Sequence, residues 1–204
     1  MLPRLIPANT YRRERWRNGL GWTREIARFE SADSGSSATV DDAAPDFDWR
    51  LSIAEIERDC DFSRFPGCDR HLVLLTGNGV RLRLDDDEQI DVLPAHGRIA
   101  FAGERAVHCV LIDGPTHDFN VMVRRDRMAA QVLHRPLVGS MVFFREPGVS
   151  WAIHLLAGGA RSKDQDLVLA PGDTLLLESD GAPSSRYIID GAGEALLVRF
   201  QRVG

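Results

Sequence analysis

Arg50 and Ser52 alternate in DWRLSIAEI (48–56), and Asp118 and Asn120 alternate in DFNVMVR (118–124). Both runs read as strands, in which residues two apart share a face. Thr23 and Glu25 share a face in TREIA (23–27) in the same way. A guanidinium, a hydroxyl, an amide and two carboxylates on strand faces are the equipment for holding a small polar ligand. Arg presents a planar fork matched to a carboxylate, and Asn offers both a donor and an acceptor. Arg70 opens the strand LVLLTG (72–77), where it either binds an anion or pairs with Asp61 or Asp69 at the surface.

Other chemistries find less support. The six histidines, His71, His96, His108, His117, His134 and His154, form no HxH or HExxH pattern, so no metal is expected. No GxSxG elbow, GxGxxG loop or CxxC pair is present. Cys60, Cys68 and Cys109 are an odd set without an activating neighbour in sequence, which fits a reducing cytoplasm. No cofactor is expected.

The elements that must position these residues are β-strands. LVLLTG (72–77), VRLRL (80–84), DTLLLES (173–179) and ALLVRF (195–200) are short apolar or alternating runs bounded by Gly, Asp and Pro. The one helix candidate is MAAQVLH (128–134). Phe62 and Phe65 are expected to anchor the turn closed by Pro66-Gly67 in the core. An internal repeat relates LVLLTGNGVRL (72–82) to AIHLLAGGARS (152–162), and DVLPAHGRIAFAG (91–103) to LVLAPGDTLLLES (167–179). Each copy reads as strand, Gly-rich turn, strand, Pro turn, strand. With the Pro171-Gly172-Asp173 turn, which looks like the inter-strand turn of cupin barrels, the expectation is an all-β, cupin-like two-barrel (bicupin) sandwich with few short helices. The expected division is residues 1–125, with a flexible polar insert at about 31–46, and residues 126–204. Periodicity alone also permits the polar strand faces to meet water. The Arg, Ser, Asp and Asn composition instead favours a barrel interior.

The chain has 204 residues and a net charge of −5, with Lys163 as its only lysine. Its arginines are interspersed with acids, which argues against a nucleic-acid surface. No apolar run is long enough for a signal peptide or a membrane helix. A cytoplasmic protein without membrane or nucleic-acid partners is expected, and a homodimer is compatible with it.

WRNGLGWTREIAR (16–28), DFDWRLSIAEIERDCDFSRFPGCDRHLVLLTGNGVRL (46–82), FAGE (101–104) and DFNVMVRRD (118–126) together resemble the HutD/Ves family of bacterial proteins. The resemblance implies a cupin-like fold without the usual metal ligands and a link to histidine utilisation. It also implies a ligand pocket at Asn18, Thr23, Glu25, Arg50, Ser52, Arg70, Asp118 and Asn120. Cys60, Trp22 and Cys68 depart from the family's usual choices. The expected function is binding of a small carboxylate-bearing metabolite, with Arg50 or Arg70 as the clamp and Asn18, Ser52 and Asn120 fixing orientation. The alternative is a metal-independent isomerase or hydrolase using Glu25, Asp118 or His71 as base.

Overall fold

A computed structural model describes residues 3–16, 18–31, 45–85, 88–163, 165–178 and 186–203. Arg17 and nearly all of the 31–46 insert lie outside the described residues. In chain order, the strands begin with β1 (Arg4–Ile6), followed by a 3-10 turn (Ala8–Thr10), β2 (Arg12–Arg15), β3 (Gly21–Phe29) and β4 (Trp49–Ile56). Next come β5 (Cys60–Asp61), β6 (Cys68–Thr76), β7 (Val80–Leu84), β8 (Glu88–Val92), β9 (Arg98–Ala102), β10 (Val107–Leu111) and β11 (Thr116–Arg124). The chain closes with β12 (Met128–Phe144), β13 (Val149–Ser162), β14 (Val168–Leu169), β15 (Thr174–Leu177) and β16 (Arg186–Arg202). Two compact units result: Arg12–Met128, and Met1–Tyr11 together with Ala129–Gly204. The fold is all-β and cupin-like, with sheets that do not close into full barrels. No helix among the described residues is long and apolar enough to cross a membrane.

In the Arg12–Met128 unit, a six-stranded antiparallel sheet runs β2-β3-β4-β11-β6-β9 and a four-stranded sheet runs β5-β10-β7-β8. Both sheets feed one apolar cluster. Ile56, Leu72 and Leu74 come from the larger sheet, and Leu82, Leu84 and Cys109 from the smaller. The β7 run VRLRL shows how sequence sets this layer. Val80, Leu82 and Leu84 are fully buried, while Arg81 and Arg83 between them face outward. β4 and β11 are buried on both faces, so Leu51, Ile53, Phe119 and Val121 make the strands read as nearly continuous apolar runs. The polar residues between them are therefore held inside the unit. At the sheet edge, β2 carries only exposed charge (RRER), which discourages pairing with another chain.

The other unit orders its strands β1-β15-β13-β16-β12, with β14 on β13. The first eleven residues belong here, unlike the expected 1–125 division, because β1 pairs with β15 (Arg4 opposite Leu176). The Tyr11 hydroxyl donates to the Gly172 carbonyl at 2.5 Å. Asp173 of the Pro-Gly-Asp turn accepts from the amides of Ala8 and Ala170, at 2.8 and 2.9 Å. Two expectations fail in this unit. MAAQVLH is the start of β12, because pairing with β16 satisfies its backbone where a helix of seven residues would be marginal. Residues 152–162 form one strand, with no turn at Gly158-Gly159, so this half of the repeat does not match the β6-turn-β7 hairpin at 72–82.

Gly21, at the start of β3, shows how tightly the first unit closes around WRNGLG. A Cβ there would run into the Glu55 carbonyl and come within 2.9 Å of the Trp16 ring. Gly21→Ala should therefore destabilise the protein by about 1–3 kcal/mol in chemical denaturation. Gly159→Ala, where a Cβ would meet nothing within 4 Å, should change stability by less than about 1 kcal/mol. Equal effects at the two sites would contradict this packing.

Candidate functional site

Sheet register assembles the site from residues far apart in sequence. Ser52 on β4 stands opposite Glu25 on β3 and opposite Asn120 on β11. One step along, Met122 on β11 stands opposite Arg50 on one side and Arg70 of β6 on the other. One step the other way, Ala54 faces Thr23 and Asp118. A register shift between Glu25 and Ala27 of β3 then sets Arg28 opposite Arg50. Adjacent strands lie ~4.8 Å apart, so these side chains converge on one face of the sheet.

At one end of that face, Ala54, Ile56, Leu72 and Leu74 enter the apolar cluster. At the other end a cleft of about 680 Å³ opens. Its polar lining includes Asn18, Thr23, Arg50, Ser52, Arg70 and Asn120, and its walls include Trp16, Phe62, Phe65 and Met122. Six of the eight residues expected from sequence thus share one cleft. Phe62 and Phe65, expected as core anchors, are half-buried: each packs against a buried apolar cluster and also walls the cleft. Alternation gave no warning of this second role, because residues 62–67 precede β6 and do not belong to a strand. The Trp16 indole donates to the Thr23 hydroxyl at 2.8 Å, which fixes its ring over Gly21. Asn18 is exposed, and its Oδ1 accepts from the Leu20 amide at 3.0 Å, so it shapes the turn as well as lining the rim.

Arg70 is the unusual member. It is only 8% exposed. Its Nη1 donates to the Ser63 carbonyl at 3.2 Å and its Nη2 to Asn120 Oδ1 at 3.3 Å. Its Nε is buried and finds no acceptor among the described residues. The rings of Phe62, Phe65 and Phe101 surround the guanidinium at 5.1–5.5 Å. Both carboxylates considered from sequence are engaged elsewhere. Asp69 accepts from Arg125 at 2.8 Å, and Asp61 contacts His108 at 2.6 Å. Among the described residues no carboxylate forms an ion pair with Arg70. Burial pushes its guanidinium down to about 10, with repulsion from Arg50 adding to the shift, so it stays charged at neutral pH.

Two expected residues do not line the cleft. Glu25 sits in an adjoining groove of about 450 Å³ with Arg12, Arg28 and Arg64. There its carboxylate accepts from Arg50 Nε at 2.7 Å. Asp118 lies on the cleft face but deeper, with 0% exposure. The Thr116 hydroxyl donates to one of its oxygens at 3.2 Å, and the other is buried without a partner among the described residues. Alternation identifies the face of a strand, not how far along it the cleft ends. The thiols of Cys60 and Cys68 are pushed up to about 11 by burial, and that of Cys109 is raised further, so none is a ready nucleophile. No histidine lines the cleft.

Burial raises the Asp118 carboxyl to about 7, well above its ordinary 3.8. A carboxyl raised in the folded state gives its full stability below the unfolded pKa. That stability is lost as pH climbs through about 7. Asp118→Asn should accordingly be more stable than the wild type at pH 8, on the order of a few kcal/mol, with little difference near pH 4. Thermal melts at the two pH values test this, and an Asn variant no more stable at pH 8 would contradict it.

The HutD family model matches residues 8–197. An uncharacterized 21.2 kDa protein of the hutC 3' region of Pseudomonas putida is 39% identical over 128 residues. That alignment covers 63% of this chain and 62% of the relative, so the chain spans under two thirds of that protein's length. HutD from Pseudomonas fluorescens SBW25, solved in a formate condition, superposes with a TM-score of 0.80 at 28% identity and full coverage of both chains. The Escherichia coli bacterial pirin YhhW, solved in complex with nickel(II), shares the fold at 12% identity, with a TM-score of 0.65 over 98% of each chain. The match through residues 8–197 spans both units and every strand that builds the cleft, and the chain belongs to the HutD family.

Proposed function

We propose that this protein binds a small carboxylate-bearing metabolite, with Arg70 supplying the positive charge that a metal ion supplies in other cupin-like sites. The observation that carries the reading is the buried Arg70 guanidinium, which opens on the cleft without a carboxylate partner among the described residues. A buried charge without a counter-charge costs several kcal/mol, and an anionic ligand offsets that cost on binding. Asn120 holds the guanidinium in place, and Ser52 offers a hydroxyl beside it in the cleft. Trp16, Phe62 and Phe65 give the apolar walls typical of small-molecule sites. The hutC region of a relative supports a regulatory role in histidine utilisation. Three free, buried cysteines fit a cytoplasmic setting.

A catalytic role draws less support. Of the candidate bases, Glu25 is tied to Arg50, Asp118 is sealed beneath the cleft, and His71 lies on the opposite face of β6 from Arg70. None is placed beside Arg70 as a base.

Isothermal titration and thermal shift with formate, histidine, urocanate, glutamate, formiminoglutamate and formylglutamate test the proposal. At least one carboxylate should bind, and at ~100 times its Kd it should stabilise the protein by about 2.7 kcal/mol. Arg70→Gln should weaken that ligand by about 10- to 100-fold, the loss of a charge-assisted hydrogen-bonded pair, while leaving the fold no less stable. Absence of any response across the series would reject the proposal.

A further inference from the structure

Arg50 and Arg70 occupy one cross-strand row on the cleft face, separated only by Met122. Two strand spacings put their Cα atoms ~10 Å apart. Arg50 is held by its Nε, which donates to Glu25 at 2.7 Å. That bond fixes the plane of the guanidinium, and its two Nη groups have no hydrogen-bond partner among the described residues. The remaining acids at the mouth are spent on neighbours, Glu14 on Arg12 at 2.5 Å and Asp61 on His108 at 2.6 Å. The cleft therefore presents the Arg70 guanidinium, which has no carboxylate partner among the described residues, and the Nη groups of Arg50, whose Nε is held by Glu25 from the adjoining groove. The stretch between them is apolar, with Met122 as its floor and Phe65 in its wall. The two guanidinia also repel one another, which is felt at Arg70.

A single carboxylate at Arg70 would leave the Arg50 fork unused. We infer that the cleft selects a short-chain dicarboxylate, one acid group on Arg70 and the other on the Nη edge of Arg50, with an aliphatic middle over Met122. The inference rests on the carboxylate-binding reading of the same cleft. Glu25 is in this arrangement a positioning residue, since it touches Arg50 and not the ligand. Its bond to Nε occupies that edge of the guanidinium and leaves the Nη groups for the ligand.

Titration of the intact protein with glutarate and with valerate, equal in carbon number but differing in one carboxylate, separates the two claims. Glutarate should bind about tenfold or more tightly than valerate, the preference expected of one added charge-assisted contact. Arg50→Gln should collapse that ratio to near one, and Arg50→Lys, which keeps the charge, should retain part of it. Arg70→Gln should weaken both ligands. Circular dichroism melts of each variant show whether a loss is a loss of fold. Equal wild-type affinities that still depend on Arg70, or a preference for glutarate that survives Arg50→Gln in a folded protein, would overturn the dicarboxylate inference and leave the carboxylate site standing. Failure of both acids to bind the wild type at millimolar concentration would overturn the dicarboxylate inference, and the carboxylate site falls with it when the six-compound series is also silent.

Discussion

The site depends on one electrostatic constraint, a positive charge enclosed by three phenyl rings with no carboxylate paired to it among the described residues. Arg70 donates to a backbone carbonyl and to an amide oxygen, both neutral acceptors. Neutral partners orient a guanidinium and satisfy part of its hydrogen bonding, but they do not discharge it. Total stability of a domain is only ~5–15 kcal/mol, so such a charge is a substantial fraction of it. The rings of Phe62, Phe65 and Phe101 recover some of that cost through their negative faces. They also keep water away, which strengthens any anion's attraction to the site.

The surrounding fold can be understood as what holds that charge in place. The larger sheet of the first unit is apolar at one end of its inner face and polar at the other. The change occurs within single strands: Arg70 and Leu72 are neighbours on β6, and Ser52 and Ala54 on β4. The apolar end locks register, because a slip by one residue would send Leu72 and Leu74 to the other face and bring His71 in. Core packing thus positions the polar end by side chains that never touch the cleft. Outward-facing ion pairs join Arg125 to Asp69 and Glu104 on the other side of the strand from Arg70.

Much of this was legible in the sequence because strand alternation is a strict rule. The faces assigned to Arg50, Ser52, Asn120 and Asp118 follow from a period of two, and the HutD resemblance joined segments that alternation alone cannot connect. Depth was not legible. Asp118 and Asn120 share a face, yet one is sealed in the core and the other lines the cleft, since depth depends on which partner residue stands opposite. Glu25 keeps its register opposite Ser52, but its carboxylate turns to Arg50 Nε and into the side groove, a side-chain pairing that alternation does not announce. Phe62 and Phe65 do pack on buried clusters as expected, but their second role as cleft walls was not legible, because a hydrophobic residue in a turn reads as core whether or not one face of its ring meets a cleft. The helix expected at 128–134 and the hairpin expected at 152–162 both gave way to sheet pairing with β16, a partner distant in sequence.

The most direct test of the account observes the Arg70 side chain itself. A two-dimensional 15N–1H spectrum resolves arginine Nε–H groups, and loss of one signal in Arg70→Gln identifies that of Arg70. A buried Nε–H without an acceptor should exchange slowly with water and move strongly when formate or glutarate is added. An Arg70 signal unmoved by saturating carboxylate, while the ligand still binds, would place the anion elsewhere and contradict the account.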